Sequence, residues 1–327
     1  MSNFRTILLK KIVNAVITIL IVVSLNFVLF RVLPGNPIRM MIPQKPNIDP
    51  DYVDMMMEKF GLNEPLYIQF FVYLKNVFTG EFGDSFRTKT PVIDLVLNDL
   101  TWTLILVGTS TVFMIVIGMT IGIISAWKRG SWFDTGSLGF SLFFYAMPTF
   151  WFSMILIVIF ALQLRWFPPG GELPIGVTLT PFTWDTFVAL LDHLFLPAVS
   201  LTVGSIAAFS VIMRSSLVDV MTEDYITTAR AKGMSEFKLL KDHAVPNAML
   251  PMVTLIAMDL AFIVGGAFQT EYVFGYKGIG YATVKATGES DYPYLQAAFL
   301  IIAVVVIIAN LIADVALVYL DPRVKVN

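Results

Sequence analysis

The chain has 327 residues, of which 57% are hydrophobic and only 14% are charged, and its mean hydropathy is +0.76. Soluble domains carry about 25% charged residues, so much of this surface must face lipid. The net charge of -2 is too small to indicate nucleic acid or an acidic substrate as a partner. The absence of cysteine excludes disulfides, thiolate metal sites and a cysteine nucleophile, and the presence of only two histidines excludes a histidine-rich metal centre.

Six stretches are long and apolar enough to cross a bilayer, which takes roughly 20 mostly apolar residues. We expect helices rather than strands because the stretches are uninterrupted and lack two-residue alternation. The sequence therefore predicts an all-α integral membrane protein with six transmembrane helices. They run near Ile12–Phe30, Trp102–Ala126, Leu138–Leu164, Leu194–Leu217, Met249–Thr270 and Ala297–Leu320.

Lysine and arginine residues in the short flanks of the spans indicate the orientation, because such residues favour the cytoplasmic side. With the N-terminus inside, the inner flanks hold most of the basic residues, and the two short outer loops hold only Arg165, Lys277 and Lys285. Both termini are therefore predicted to be cytoplasmic. We divide the chain into an N-terminal segment with the first span (1–31), an extracytoplasmic helical loop (32–100), a five-helix core (101–320) that contains a cytoplasmic loop (218–247), and a cytoplasmic tail (321–327).

The long outer loop carries helix signals rather than the composition of a disordered segment. The segment "DPDYVDMMMEKFGL" begins with an Asp-Pro start signal and ends at Gly61, and "EPLYIQFFVYLKNVF" has apolar residues at helical spacing before Gly80. We expect two or three short helices on the outer face of the membrane. They form either a small packed cap or a docking platform for an extracytoplasmic partner.

A mixed-charge stretch, "EDYITTARAKGMSEFKLLKDHAVPNAMLP", separates two of the spans. Its apolar residues recur at steps of three and four or their sum, which predicts one helical face, and Gly233 marks a bend. Such a face must be covered, either by the protein's own helix ends or by a groove on a separate soluble subunit. The residues of this face are Ile226, Ala229, Met234, Phe237 and Leu240.

The same stretch resembles the cytoplasmic "EAA" loop of the permeases of ABC importers. Gly233, Pro246 and Ala229 match that pattern, whereas Thr227, Thr228 and His243 depart from it. Further segments, "FRVLPGNPIRMMI", "FGLNEPLYIQFFVYLKNVFTGEFGDSFRTKTPV", "TARAKGMSE", "EYVFGYKGIG", "DYPYLQAAF" and "YLDPRVK", resemble the oligopeptide/dipeptide (peptide/nickel) family of these permeases. The resemblance implies a type I importer fold, in which the five later spans form the core around the pathway and the first span is peripheral.

The resemblance also implies the partners of the chain. They are a homologous second permease, two ATP-binding subunits and an extracytoplasmic substrate-binding protein. The chain has no G-x-x-x-x-G-K-S/T motif, so we expect it to have no catalytic group and no cofactor of its own, and the partner subunits to bind ATP and magnesium. The cytoplasmic loop would couple to the ATPase through Ile226, Ala229, Arg230, Gly233, Phe237, Leu240 and Pro246.

Polar residues inside the spans are the candidates for the pathway. A carboxylate at the bilayer centre costs about 2.5–3.5 kcal/mol on insertion scales, so it should face protein or water. Asp259 either lines the pathway, where it would receive a peptide's amino terminus, or makes an interhelical hydrogen bond. Asp314, with Asn310 one turn before it, is expected to make a structural bond to a neighbouring helix end. Arg214 is expected to extend to the inner interface, and His193 to lie at the outer interface.

Three further features concern helix packing and the outer mouth. Gly118 and Gly122 form a G-x-x-x-G pair that predicts close packing, within the chain or with the second permease. The pair Met147-Pro148 predicts a break in the third span. The glycine-rich turn after the fifth span is either part of an outer gate, by resemblance, or a plain interfacial loop; its candidate gate residues are Tyr272, Phe274, Gly278 and Gly280.

A secondary transporter is the alternative from another class. It would need a coupling-ion site and usually an inverted repeat of its spans, and the sequence shows no repeat. Short peptides are the substrates that the resemblance favours, and oligosaccharides and nickel chelates are the alternatives within the same type of importer. The predicted location is the plasma or inner membrane.

Overall fold

The computed structural model describes residues 4–31, 64–262 and 267–320, and the regular structure in these ranges is helical. The first predicted outer helix, which ends at Gly61, lies outside the described residues. The helices are α1 (Phe4–Arg31), α2 (Leu66–Thr79), α3 (Val92–Trp127), α4 (Trp132–Ala146), α5 (Thr149–Leu156, continued by a π-helix at Ile157–Gln163), α6 (Trp184–Met221), α7 (Asp224–Ala231), α8 (Glu236–Leu239, continued by a π-helix at Leu240–Ala244), α9 (Val245–Phe262), α10 (Phe268–Val273), α11 (Ile279–Glu289) and α12 (Tyr292–Leu320).

Four of the described helices, α1, α3, α6 and α12, are long and apolar enough to cross a membrane. They contain the first, second, fourth and sixth predicted stretches. Both α3 and α6 begin well before those stretches because an apolar window locates the part of a helix that can lie in lipid, not its ends. The fifth predicted stretch is described only in part, since residues 263–266 between α9 and α10 lie outside the described ranges.

The third predicted stretch is a pair of helices rather than one straight span. The axes of α4 and the helical segment that follows it differ by 102°, with the break at Met147 and Pro148. Proline lacks an amide hydrogen and disfavours helical geometry in the residue before it, and Met147 is extended with ψ 130°. The predicted break is therefore confirmed, and the pair supplies a fifth candidate span if it is counted as one.

The chain divides into two compact units, of which the first comprises residues 1–103 and 277–311. In this unit α2 packs on α1 through aromatic rings, because Phe27 lies 5.2 Å from Phe70 and 5.6 Å from Tyr73 between ring centroids. The buried Asn26 accepts a hydrogen bond from the Tyr73 hydroxyl and donates one to the carbonyl of Gln296 at the start of α12. The second outer helix that the sequence predicts is thus present as α2.

A buried carboxylate organises the loop that follows α2. Asp291, just before α12, accepts hydrogen bonds from the hydroxyl of Ser85 and from the amide of Phe86. The ion pair between Arg87 and Glu289, at 3.1 Å, lies beside it. Two of the segments that carry the family resemblance, "GDSFRTKTPV" and "DYPYLQAAF", therefore meet in the structure.

The second unit comprises residues 104–276 and 312–327, and α6 is the helix on which its other elements pack. Gly118 and Gly122 on α3 lie against α6, where a Cβ on Gly118 would come within 2.6 Å of the Phe209 Cβ. A Cβ on Gly122 would come within 2.7 Å of the Ser210 carbonyl oxygen. The G-x-x-x-G pair therefore serves close packing within this chain.

We expect Gly122→Ala to lower the free energy of unfolding by about 1–3 kcal/mol, because the added methyl group meets backbone that cannot move aside alone. Gly108→Ala on the same helix is the matched control, since a Cβ at Gly108 has no neighbour within 4 Å. Thermal unfolding of the purified protein in detergent measures both. Equal melting temperatures for the two variants would contradict the close contact.

Candidate functional site

The loop between α6 and α9 contains two short helices, α7 and α8, joined at Gly233. Gly233 has a φ of +81°, in the left-handed region that glycine adopts without strain. Its amide donates to the carbonyl of Arg230, and the amide of Met234 donates to the carbonyl of Ala229. Gly233 thus ends α7 and turns the chain into α8, as the sequence predicts. Apart from Gly233 itself and its two chain neighbours, no atom of the described residues lies within 4 Å of where its Cβ would stand.

A bidentate ion pair holds the two short helices together across this turn. The guanidinium of Arg230 donates to both carboxylate oxygens of Glu236, at 2.6 and 3.2 Å. The hydrogen bonds from Arg230 lower the pKa of the Glu236 carboxyl below its usual value. Because both side chains are about half exposed, we assign this pair a role in the geometry of the turn rather than in overall stability.

One side of the loop is anchored in the core of the second unit. Ile226 on α7 and Leu239 on α8 are fully buried, and Leu240 is nearly so. They belong to one apolar cluster with Met213 and Leu217 of α6, and Ala229 and Met234 pack against its edge. The loop therefore packs on the protein's own helix ends along this side, which is one of the two alternatives that the sequence left open.

Phe237 points the other way, because 65% of its side chain is exposed. The sequence placed Ile226, Ala229 and Phe237 on a single face, and the structure corrects this arrangement. Helical spacing holds only within each short helix, because the positive φ of Gly233 breaks the phase between α7 and α8. The face available to a partner therefore includes Phe237 and excludes Ile226. Pro246, in the first turn of α9, is also exposed.

We expect Ile226→Ala to destabilise the protein by about 2–5 kcal/mol, because it leaves a cavity in a fully buried site. Phe237→Ala should change stability by no more than about 0.5 kcal/mol, since the ring lies at the surface. Thermal unfolding of the two purified variants tests this contrast. A large loss of stability with Phe237→Ala would show that the ring is buried against the chain itself.

A buried ion pair joins α4 to α6 near the start of this loop. Arg214 donates from Nε and Nη2 to the two carboxylate oxygens of Asp134, at 2.5 and 2.7 Å. Asp134 also accepts from the amide of Gly130 and is almost completely buried. Arg214, expected to extend to the inner interface, thus has a partner within the chain. Asp134 follows Ser131 by three residues, which is a helix-start signal and the one sequence pattern that singles it out.

Arg214→Met should cost about 3–5 kcal/mol of stability, because it leaves the Asp134 carboxylate buried without its partner. The double variant Asp134→Leu with Arg214→Met removes both charges and should recover most of that loss. Melting temperatures of wild type, single and double variants decide the matter. A double variant no more stable than the single one would mean that the loss is one of packing rather than of charge.

The candidate pathway residues are distributed over two helices. Asp259 lies on α9 and is partly buried, and Asp314 lies near the end of α12 and is also partly buried. Both belong to the second unit, whereas Asn310, one turn before Asp314, belongs to the first unit and is exposed. Asp259, Asn310 and Asp314 therefore stay predictions for the pathway.

The turn after α10 is packed tightly against another loop of the second unit. The amide of Gly171 donates to the carbonyl of Phe274, and a Cβ on Gly170 would overlap that carbonyl. Phe274 is buried, whereas 56% of the Tyr272 side chain is exposed.

His193, expected at an interface, has Nδ1 3.1 Å from the carbonyl oxygen of Gly170 and so supports the same loop. Burial raises the pKa of the neighbouring Tyr276, and the Glu271 and Glu172 carboxylates act in the same direction.

The other two gate candidates lie in the first unit. Gly278 is extended at the position before α11, and Gly280 is in the first turn of that helix. The amide of Ile279 between them donates to the hydroxyl of Thr103 at 2.8 Å. The four gate candidates are thus close in sequence, and each pair is held by hydrogen bonds of its own unit.

Comparison with known proteins agrees with the sequence motifs. Residues 118–326 match the family described as "Binding-protein-dependent transport system inner membrane component", and residues 4–107 match the N-terminal part of such components. The dipeptide transport system permease protein DppB of Alkalihalophilus pseudofirmus is 33% identical over 92% of this chain and 93% of its own length. The oligopeptide transport system permease protein AppB of Bacillus subtilis is 36% identical over the same shares.

A third relative is the glutathione transport system permease protein GsiC of Escherichia coli, 33% identical over 97% of this chain and 98% of its own length. The matched range 118–326 includes the loop between α6 and α9, the break at Met147-Pro148 and the buried ion pair of Arg214 with Asp134. The chain therefore belongs to the family of binding-protein-dependent transport system inner membrane components, and it is a multi-pass protein of the inner membrane.

Proposed function

We propose that this chain is the permease subunit of an ATP-driven importer, which forms the pathway for short peptides together with a homologous second permease. The observation that carries the proposal is similarity over more than nine-tenths of the chain to permeases named for dipeptides, oligopeptides and glutathione. All three names denote peptides, so they favour peptides over oligosaccharides or nickel chelates. Membership of a binding-protein-dependent family also disfavours a secondary transporter.

Six spans with both termini in the cytoplasm suit this function best. The excess of lysine and arginine on the inner flanks supports the orientation. The bent pair α4–α5 would be the third span and α9 the main part of the fifth. The five later spans would then surround the pathway in a type I importer fold.

The exposed ring of Phe237 would dock on an ATP-binding subunit, while the opposite side of the same loop remains in the core of the second unit. Movement of the docked subunit would then reach α6 through Ile226, Leu239 and Leu240 as a rigid-body displacement. Arg230, Gly233 and Glu236 would fix the shape of the loop. The partner subunits would bind ATP and magnesium, and this chain would have no catalytic role.

The pathway would run along the partly buried Asp259 on α9, with Asn310 and Asp314 as further candidates on α12. The outer turn with Tyr272, Phe274, Gly278 and Gly280 would border its outer mouth. A substrate-binding protein would deliver the peptide on that side. The firm packing of Phe274 on the loop at Gly171 supports a role for this turn as a structured rim.

Uptake by the reconstituted complex of both permeases, two ATP-binding subunits and the binding protein tests the proposal. We expect labelled di- to pentapeptides to accumulate in proteoliposomes only when ATP and the binding protein are present, and oligosaccharides and nickel chelates not to accumulate. Phe237→Ala should lower uptake and weaken the stimulation of ATP hydrolysis by loaded binding protein. The reason is that truncation of an anchoring aromatic weakens docking.

Lys232→Ala is the matched control, because Lys232 is exposed on the same loop but lies outside the apolar set. Uptake without ATP would reject the importer, and uptake of sugars or nickel chelates in place of peptides would reject the substrate class. Wild-type stimulation in Phe237→Ala would leave the importer intact and remove Phe237 from the docking surface.

A further inference from the structure

Helix α2, although too short to cross a membrane, packs against parts of two helices that lie within the bilayer. Its residues Phe70, Tyr73, Leu74 and Val77 share one apolar cluster with Val23 and Phe27 of α1 and with Leu300 and Val304 of α12. Val23 is eight residues before the end of α1, and Leu300 is eight residues after the start of α12. At 1.5 Å per residue, the cluster reaches about 12 Å inward from those ends.

The hydrocarbon core of a bilayer is about 30 Å thick and the apolar part of α1, at 24 residues, is about 36 Å long, so a point about 12 Å from the end of α1 still lies within one leaflet. Both α1 and α12 are apolar enough to span, and α1 exposes most of its apolar side chains along its length. The packed side of α2 therefore reaches membrane depth.

The opposite side of α2 carries a stripe of aromatic residues at helical spacing. Tyr67, Phe71, Lys75 and Phe78 are exposed at steps of four, four and three residues, which places them on one face. The three rings are 66%, 65% and 77% exposed, respectively. A helix at an aqueous surface would carry polar residues there, whereas this helix is apolar on both sides.

We propose that the stripe Tyr67–Phe71–Lys75–Phe78 is a lipid contact, so that α2 lies in the interface of the leaflet that the end of α1 reaches. Tyrosine rings concentrate at the level of the head groups, where they contact both acyl chains and polar groups. Phenylalanine rings of interfacial helices are buried at the boundary between head groups and acyl chains. Lys75 fits the same surface because its methylene groups lie along apolar chains while its ammonium group reaches phosphate oxygens. The partner is thus the phospholipid surface itself rather than the substrate-binding protein.

Single-cysteine spin labelling tests the proposal directly, because this chain contains no cysteine of its own. Tyr67→Cys, Phe71→Cys and Phe78→Cys would each be labelled in the assembled complex, reconstituted in phosphatidylethanolamine–phosphatidylglycerol vesicles without binding protein. Wild-type complex treated with the same label gives the background from partner subunits. Thr88→Cys, on an exposed loop of the same unit, is the matched aqueous control.

We expect collisions with oxygen, which concentrates in lipid, to exceed collisions with a water-soluble nickel chelate several-fold at the three stripe positions. The ratio should reverse at Thr88→Cys, and addition of loaded binding protein should leave the stripe positions unchanged. Accessibility to the nickel chelate equal to that of Thr88→Cys would overturn the proposal. So would stripe labels that become protected only when binding protein is added, since the partner would then be that protein.

Immobile labels shielded from both reagents in the absence of binding protein would also overturn it, because they would indicate contact with another protein subunit. If one stripe variant does not assemble, the other two carry the measurement. The result does not depend on the transported substrate. A failed peptide-uptake assay and a failed lipid-contact assay are therefore separate outcomes.

Discussion

The apolar cluster around Met213 and Leu217 is the contact on which the arrangement of the second unit depends. It fastens the two short helices of the loop to the end of α6 and also takes in side chains of α3 and α9. Burial of this kind stabilises by about 25 cal/mol per Å² of apolar surface, so a loop with three deeply buried anchors is a fixed part of the helix ends. A force applied to the exposed side of the loop would therefore act on α6 rather than deform the loop.

Contacts between small or polar groups align the helices above this cluster. Gly118 and Gly122 let α3 approach α6 closely, and Ser141 and Ser153, on either side of the break, lie within hydrogen-bond distance of Ser210 and Ser200. In lipid no hydrophobic effect drives helices together, so close packing and such hydrogen bonds supply the association. The break at Met147-Pro148 is thus held on α6 from both sides.

Much of the architecture follows from the sequence because lipid imposes simple rules. Long apolar stretches, a proline break and a glycine at a turn each have a local physical cause. The structure accordingly shows four helices long and apolar enough to span, the break at Met147-Pro148 and the bend at Gly233. The outward direction of Phe237 could not be predicted in this way, because a helical wheel loses its phase at a left-handed residue. The role of Arg214 required its partner 80 residues earlier in the chain, which no local pattern indicates.

Asp134 and Arg214 are also synthesised at different times, because they are 80 residues apart in the chain. The ribosome adds residue 134 first and then extends the chain by 80 residues before Arg214 exists. At about 5–20 residues per second, the carboxylate on α4 waits for at least about 4 s without its guanidinium partner. Asp134 lies in the first turn of α4, before the apolar part of the third predicted span, so its carboxylate can remain in the water of the inner interface during that interval. The ion pair can form only once α6 has been made and packs on α4, so it joins these two helices late in synthesis.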